Sequence, residues 1–287
     1  MMKNSLKLLL LLLCISLAFT ACIKPDGEGE ETRLEQPTLG DMPMHYYEEA
    51  EYAYLTDVNE EKLLTGLDQA YLMLANKVYV LGENYAPANV VTLTCKTNGD
   101  KKIELEARTA EALYEMLAEM TAAGIKDISV TSGYRTYSYQ KGLFNQYLSN
   151  EMSTISEDAR RCFSADYIRE KYTQKGLTAL SYEDARTVVL SYSAYPGTSE
   201  HQTGLCVDFI TSTMSGLTTA FENTEAFAWL KDNAYKFGFV LRYPEGKEDV
   251  TGYTYEPWHY RFVGREAATD LYFGNLTLEE YLGVGNE

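Results

Sequence analysis

Histidine is scarce in this chain, with three in 287 residues, His45, His201 and His259. The last two lie in segments punctuated by glycine and proline, where turns and short strands are expected. Around the first the sequence reads Pro196-Gly197-Thr198-Ser199-Glu200-His201-Gln202-Thr203-Gly204-Leu205-Cys206-Val207-Asp208, and around the second Glu256-Pro257-Trp258-His259-Tyr260-Arg261-Phe262-Val263-Gly264. Gly204 permits a turn ahead of a strand over 205–210 that would carry Asp208. Pro257 disfavours the helical state for Glu256, which excludes a helical H-E-x-x-H arrangement and calls for a turn to bring Glu256 and His259 to one point. Two imidazoles and one carboxylate form a three-ligand set that suits Zn²⁺ and leaves a fourth position for water. A further carboxylate outside that set can take the proton of the water and pass it to a leaving amine. Each residue also has a plainer reading: His201 as hydrogen-bonded core, Asp208 as a turn or cap, Glu256 as a surface charge before a proline. His45, among Tyr46, Tyr47, Glu48 and Glu49, reads as a surface or packing residue.

Helix and strand signals alternate without a regular βαβ rhythm, which predicts an α+β domain over a doubly wound one. Leu113, Met116, Leu117 and Met120 follow helical spacing, with Thr109 as the expected cap and Gly124 as the stop. Further helices are expected over 138–148, 181–192 and 224–237, the last stopped by Gly238, and strands over 125–131, 205–210, 239–243 and 258–263. No internal repeat and no second linker interrupt residues 45–287, so they read as one domain. The basic run of Arg160, Arg161, Arg169, Lys171 and Lys175 reads as a solvated helix face.

Three motifs in order then carry a resemblance. Thr131-Ser132-Gly133-Tyr134-Arg135 with Tyr139-Gln140, the His201 segment with Asp208, and Glu256-Pro257-Trp258-His259-Tyr260 together resemble the VanY-type D-alanyl-D-alanine carboxypeptidases over roughly residues 70–270. The resemblance implies the α+β fold of the wider zinc peptidase group that includes lysostaphin-type enzymes and the hedgehog domain, with a small antiparallel sheet, flanked by helices, carrying the metal. It implies that His201, Asp208 and His259 hold Zn²⁺, that Glu256 is the catalytic base, and that Arg135 stabilises the substrate carbonyl as it becomes an oxyanion. Gln140 and Ser199 match positions expected to hydrogen-bond the peptide, and Trp258 is expected to wall the site. The implied activity is removal of the terminal D-Ala from peptidoglycan stem peptides. An L,D-carboxypeptidase or cell-wall endopeptidase on the same scaffold, or a non-catalytic metal-binding lipoprotein, are the alternatives. Two departures stand out: the long stretch between Gln140 and Pro196, which could reshape the cleft, and Cys206 where a small Ala is commoner. Strand alternation turns Cys206 away from the face of Val207 and leaves its side relative to Asp208 open.

The N-terminus carries an address. Lys3 and Lys7 precede a short apolar run, and Phe19-Thr20-Ala21-Cys22 resembles a bacterial lipobox, with Phe19 where an aliphatic residue is commoner. This predicts a signal peptide over 1–21, a lipidated Cys22 and a Glu- and Gly-rich tether over 22–44, placing the domain outside the cytoplasm on a bacterial membrane. A formal net charge of -17 argues against a nucleic-acid partner. With the signal peptide cleaved and Cys22 lipidated, Cys95, Cys162 and Cys206 remain, an odd set that defines no disulfide framework. The oligomeric state is not legible.

Overall fold

The computed structural model describes residues 34–40, 45–64, 66–161, 182–190 and 192–284. The expected signal peptide, Cys22, most of the expected tether, Cys162 and the side chains of the basic run lie outside the described residues.

A four-stranded antiparallel sheet in the order β3-β4-β6-β5 organises the fold, from β3 (Ser129–Ser132), β4 (Cys206–Ile210), β5 (Phe239–Leu241) and β6 (His259–Phe262). Side chains alternate across a sheet, so each strand sends one set of residues to either face. Val130, Val207, Phe209, Phe239, Tyr260 and Phe262 form the core face, all within 1% of full burial. They pack on α1 (Ala107–Ala122) through Leu113, Met116 and Met120, and on α4 (Glu225–Asn233) through Phe227 and Leu230. The opposite face of β4 and β6 carries Cys206, Asp208, His259 and Arg261, also buried but polar. The β4–β6 register sets Asp208 directly opposite His259 and Cys206 opposite Arg261.

The spacing Leu113, Met116, Leu117, Met120 forms its helix as expected, and Gly124 ends it with a left-handed φ of 89°. Thr109 does not cap it: the cap is Glu106, whose carboxylate accepts from the Thr109 backbone at 2.9 Å and from its hydroxyl at 3.2 Å. A Glu side chain reaches this position because β2 (Glu104–Glu106) runs directly into the helix. β2 pairs with β1 (Val90–Thr92), a small antiparallel ribbon that the sequence reading lacked. Thr224 caps α4, which passes into a 3-10 turn at Ala234–Phe237 and stops at Gly238 as expected.

The stretch between Gln140 and Pro196 opens and closes with helices. α2 spans Tyr137–Arg161, far beyond the expected 138–148, and α3 spans Tyr182–Leu190. They pack on each other through Phe144, Leu148, Ala185, Val188 and Val189. After β5 come a short α5 (Glu248–Thr251), then α6 (Arg265–Gly274) and α7 (Leu278–Tyr281), which close a second core with Leu72, Leu74, Tyr235 and Val263. Residues 34–40, assigned to the tether on composition, are docked on the body. The Gln36 amide exchanges hydrogen bonds with the Leu74 backbone at 2.7 and 3.0 Å, and Gln69 donates to the Pro37 carbonyl at 2.7 Å. His45 packs at the surface near Asp270, 3.4 Å away.

Gly133 couples β3 to the ribbon. A Cβ there would stand 2.5 Å from the Glu104 carbonyl oxygen and 2.8 Å from Ile103 Cγ2, and the Tyr134 amide donates to the same Glu104 oxygen. Gly133→Ala is therefore expected to destabilise the fold by about 1–3 kcal/mol through overpacking, read as a lower denaturant midpoint at unchanged slope. An unshifted midpoint would mean that the ribbon does not abut β3 as described.

Candidate active site

The polar face of β4 and β6 opens into a cleft of about 510 Å³ lined by Arg135, Gln140, Ser199, Glu200, His201, Asp208, Glu256, Trp258 and His259 among others. All eight residues expected at the site from the cleft-forming motifs therefore meet in one place. Each arrives by a local device. His201 sits on a 3-10 turn, Glu200–Thr203, that ends at Gly204 with φ of 71°, where a Cβ would press on the Glu106 amide at 3.1 Å. Asp208 and His259 face each other across the ladder. A turn through Pro257 and Trp258, closed by the His259 amide donating to the Glu256 carbonyl at 3.1 Å, folds Glu256 back over the second imidazole.

The distances converge on one point. Asp208 Oδ2 lies 3.1 Å from His201 Nε2, and Asp208 Oδ1 lies 3.0 Å from His259 Nδ1. Glu256 Oε2 is 3.8 Å from the same Nδ1, and Arg135 Nη2 is 3.9 Å from Asp208 Oδ2. The two imidazoles meet edge to face at 5.1 Å. His201 Nδ1 donates to the Gly133 carbonyl at 2.7 Å, which leaves Nε2 as the nitrogen with a free lone pair toward Asp208. Donor atoms bound to one tetrahedral zinc at ~2.0–2.1 Å stand about 3.3 Å apart, so the spacing here fits a divalent cation.

Electrostatics agree with the geometry. Burial works to raise the Asp208 carboxyl, but the two imidazoles outweigh it and hold the group well below the usual carboxylate range. Burial works against charge on the imidazoles, yet the acidic neighbours raise both, His259 most. Glu256 is different: burial pushes its carboxyl up to about 7, the imidazoles pull the other way, and Asp208 adds repulsion. A carboxylate poised near neutrality beside a donor cluster is suited to proton transfer.

Several contacts were not legible beforehand. Gln140 is 1% exposed and both ends of its amide are engaged, Oε1 accepting from Arg135 Nη1 at 3.1 Å and Nε2 donating to the Ala194 carbonyl at 2.7 Å. It orients Arg135 rather than offering free groups to a peptide. Trp258 lines the cleft and also packs on the core, so it serves as both wall and filler. Ser199 lies in the wall at 5% exposure. Cys206 shares the face of Asp208, and its sulfur lies within 4.8 Å of a nitrogen on each of the two imidazoles. Burial raises its thiol, while the imidazoles outweigh that and bring it to about 7. Tyr243 packs against His259 with the rings tilted at 42° and centroids 4.9 Å apart, and Leu143, Tyr147 and Tyr192 from the α2–α3 region also line the cleft. Cys95 and Cys206 are free thiols.

Two buried imidazoles, a shared carboxylate and a second carboxylate poised to move protons, all at the mouth of an open cleft on an α+β scaffold, define a metallopeptidase. The chain belongs to the VanY family of D-alanyl-D-alanine carboxypeptidases, which it matches over residues 102–265. It is 37% identical over 233 residues to YodJ of Bacillus subtilis (strain 168), covering 78% of this chain and 72% of that protein. It is 33% identical over 226 residues to a D-alanyl-D-alanine carboxypeptidase of Enterococcus faecalis (strain ATCC 700802 / V583), again covering 78% and 72%. Among solved structures it resembles the LdcB LD-carboxypeptidase, with a TM-score of 0.59 and 31% identity over 78% of this chain and 96% of the other. VanYB in complex with D-alanine-D-alanine matches with a TM-score of 0.55 and 31% identity over 74% and 97%. A mutant of the D,D-pentapeptidase VanY in complex with Zn(II) matches equally, at 0.55 and 31% over 74% and 99%.

The Glu256 carboxyl yields a direct test. In metal-free protein it should titrate near 7, well above an ordinary glutamate, by carbon-13 NMR of the labelled carboxyl. Because the folded value is the raised one, its contribution to stability is present below the unfolded value and lost as pH rises through about 7. A midpoint near 4.5, the ordinary value, would show that the cleft does not desolvate this group.

Proposed function

We propose that the protein is a zinc D,D-carboxypeptidase that removes the terminal D-Ala from peptidoglycan stem peptides. The observation that carries this reading is the convergence of Glu256, Arg135 and the donor set on one cleft in a chain of the VanY family. His201 through Nε2, His259 through Nδ1 and Asp208 would hold the zinc. Zinc there would supply Lewis-acid polarisation of the scissile carbonyl and bring a water toward a pKa of about 7. Glu256 takes the proton of the attacking water on its carboxylate, the C–N bond of the last peptide breaks, and Glu256 returns that proton to the D-Ala amine. The Arg135 guanidinium, steadied by Gln140, offers forked donors to the carbonyl oxygen as negative charge develops. Trp258 and the tyrosines of the α2–α3 side limit access of bulk water. Similarity to the LdcB LD-carboxypeptidase supports a second reading, cleavage of the tetrapeptide at an L,D bond on the same machinery.

Asp208 is favoured over Cys206 as the third donor. Asp208 lines the cleft, while Cys206 is fully buried behind it, and a catalytic site needs its metal reachable from the cleft. The lipobox-like Phe19-Thr20-Ala21-Cys22 supports export and anchoring of Cys22 in a bacterial membrane, with the peptidase on the outer side where its polymer substrate lies.

Mass spectrometry of a muropeptide pentapeptide and tetrapeptide incubated with the protein tests the activity. Loss of one D-Ala from the pentapeptide, stopped by a chelator and reduced by about 10²–10⁴-fold in Glu256→Ala, is the expected result. Cleavage of the tetrapeptide alone would establish the L,D reading, and unimpaired turnover by Glu256→Ala would refute its role as base. Metal analysis separates the donor sets: Asp208→Ala should lose bound zinc, whereas Cys206→Ala should retain it. The reverse pattern would make Cys206 the third donor.

A further inference from the structure

We propose that Glu200 is a positioning residue that fixes the tautomer and orientation of His259, and that two buried arginines hold it in place for that purpose. The inference rests on the reading of His259 Nδ1 as a metal donor. For Nδ1 to present a lone pair, the ring proton must reside on Nε2, and that N–H needs an acceptor. His259 Nε2 is buried and has no hydrogen-bond partner within ordinary geometry among the described residues, and the same is true of Glu200 Oε2. The two atoms face each other at 3.5 Å. The other oxygen of Glu200 is spoken for: Oε1 accepts from Arg242 Nε and from Arg261 Nη1, both at 2.7 Å. Only Oε2 remains, and it points at the imidazole.

The arginines are themselves immobilised. Arg242 grips Glu279 of α7 with both terminal nitrogens at 2.8 and 2.6 Å, and Glu279 also accepts from the Asn76 amide at 3.0 Å. Arg261 Nη2 donates to the carbonyls of Tyr71 and Met73 at 3.0 and 2.8 Å. Glu200, Arg242, Arg261 and Glu279 are at most 2% exposed, and their charges balance two against two. Burying four charges is costly, and replacing such a cluster with apolar side chains is often neutral or stabilising. A purely structural account leaves that cost without a return; an oriented imidazole supplies one. Glu200 is therefore distinct from the groups that meet substrate: it acts through His259.

Glu200→Gln tests this, because the change preserves shape while inverting the demand on the ring. The glutamine carbonyl would satisfy the two arginines and turn its NH₂ toward Nε2, favouring the tautomer with the proton on Nδ1. The expected result is zinc affinity about 10- to 100-fold weaker in competition with a chelating dye, with the folded state retained by circular dichroism. Imidazole nitrogen-15 NMR of the zinc-loaded wild-type protein should show the His259 proton on Nε2, a readout that does not depend on the variant folding. A merely structural role would lower the unfolding temperature of the metal-free variant and leave zinc affinity unchanged, and that outcome overturns the inference, as does a wild-type proton on Nδ1. Failure of the wild-type protein to bind zinc at all would instead overturn the ligand reading beneath it.

Discussion

The antiparallel pairing of β4 with β6 is the constraint on which the site depends. With a side-chain period of two, a slip of one residue in that ladder would send Asp208 or His259 to the opposite face, among Val207, Phe209, Tyr260 and Phe262. The apolar face prevents the slip, since those four side chains must stay against α1 and α4. The hydrophobic core thus sets the register, and the register brings a carboxylate and an imidazole to within 3.0 Å on the other side of the sheet. His201 and Glu256 then need only turns, one ending at Gly204 and one passing through Pro257, to reach the same point.

The polar face is expensive to maintain. Asp208 and Glu200 are both buried, and each stays well below the usual carboxylate range because cationic neighbours outweigh the burial: the imidazoles for Asp208, Arg242 and Arg261 for Glu200. Glu256 is the exception, its carboxyl raised to about 7. The two fully buried carboxylates are therefore committed to charge, while Glu256, whose side chain keeps 18% of its surface open to the cleft, is poised to exchange a proton. That division of labour follows from which cations lie nearest each oxygen.

Much of this was legible in the sequence. The 3.6-residue spacing around Leu113, the glycine stops at Gly124 and Gly238, and strands at β4 and β6 all carry local signals, and the structure gathers the motif residues into one cleft. What escaped had its cause in distant contacts. Thr109 looked like a cap because nothing local shows that Glu106 arrives from a strand with its carboxylate over the helix start. Residues 34–40 looked like tether because what docks them lies far along the chain: the Gln36 side chain bonds the Leu74 backbone, and the Pro37 and Leu39 backbone bonds the Gln69 side chain. Gln140 was expected to meet peptide, yet its partners, Arg135 and the Ala194 carbonyl, are set by how α2 packs against the loop after α3. Cys206 could have been placed from alternation alone, since it stands two residues before Asp208 on one strand. Arg242 and Arg261 gave no signal beyond being arginines near a motif, and their role emerges only from the buried chain of ion pairs, Arg261–Glu200–Arg242–Glu279.

A crystal structure of the zinc-loaded protein with anomalous diffraction at the zinc edge tests the central claim most directly. One peak within coordinating distance of His201 Nε2, His259 Nδ1 and an Asp208 oxygen, with an open side toward Glu256, is the predicted result. A peak bonded to the Cys206 sulfur in place of Asp208, or density elsewhere in the molecule with these donors still paired to one another, would contradict it.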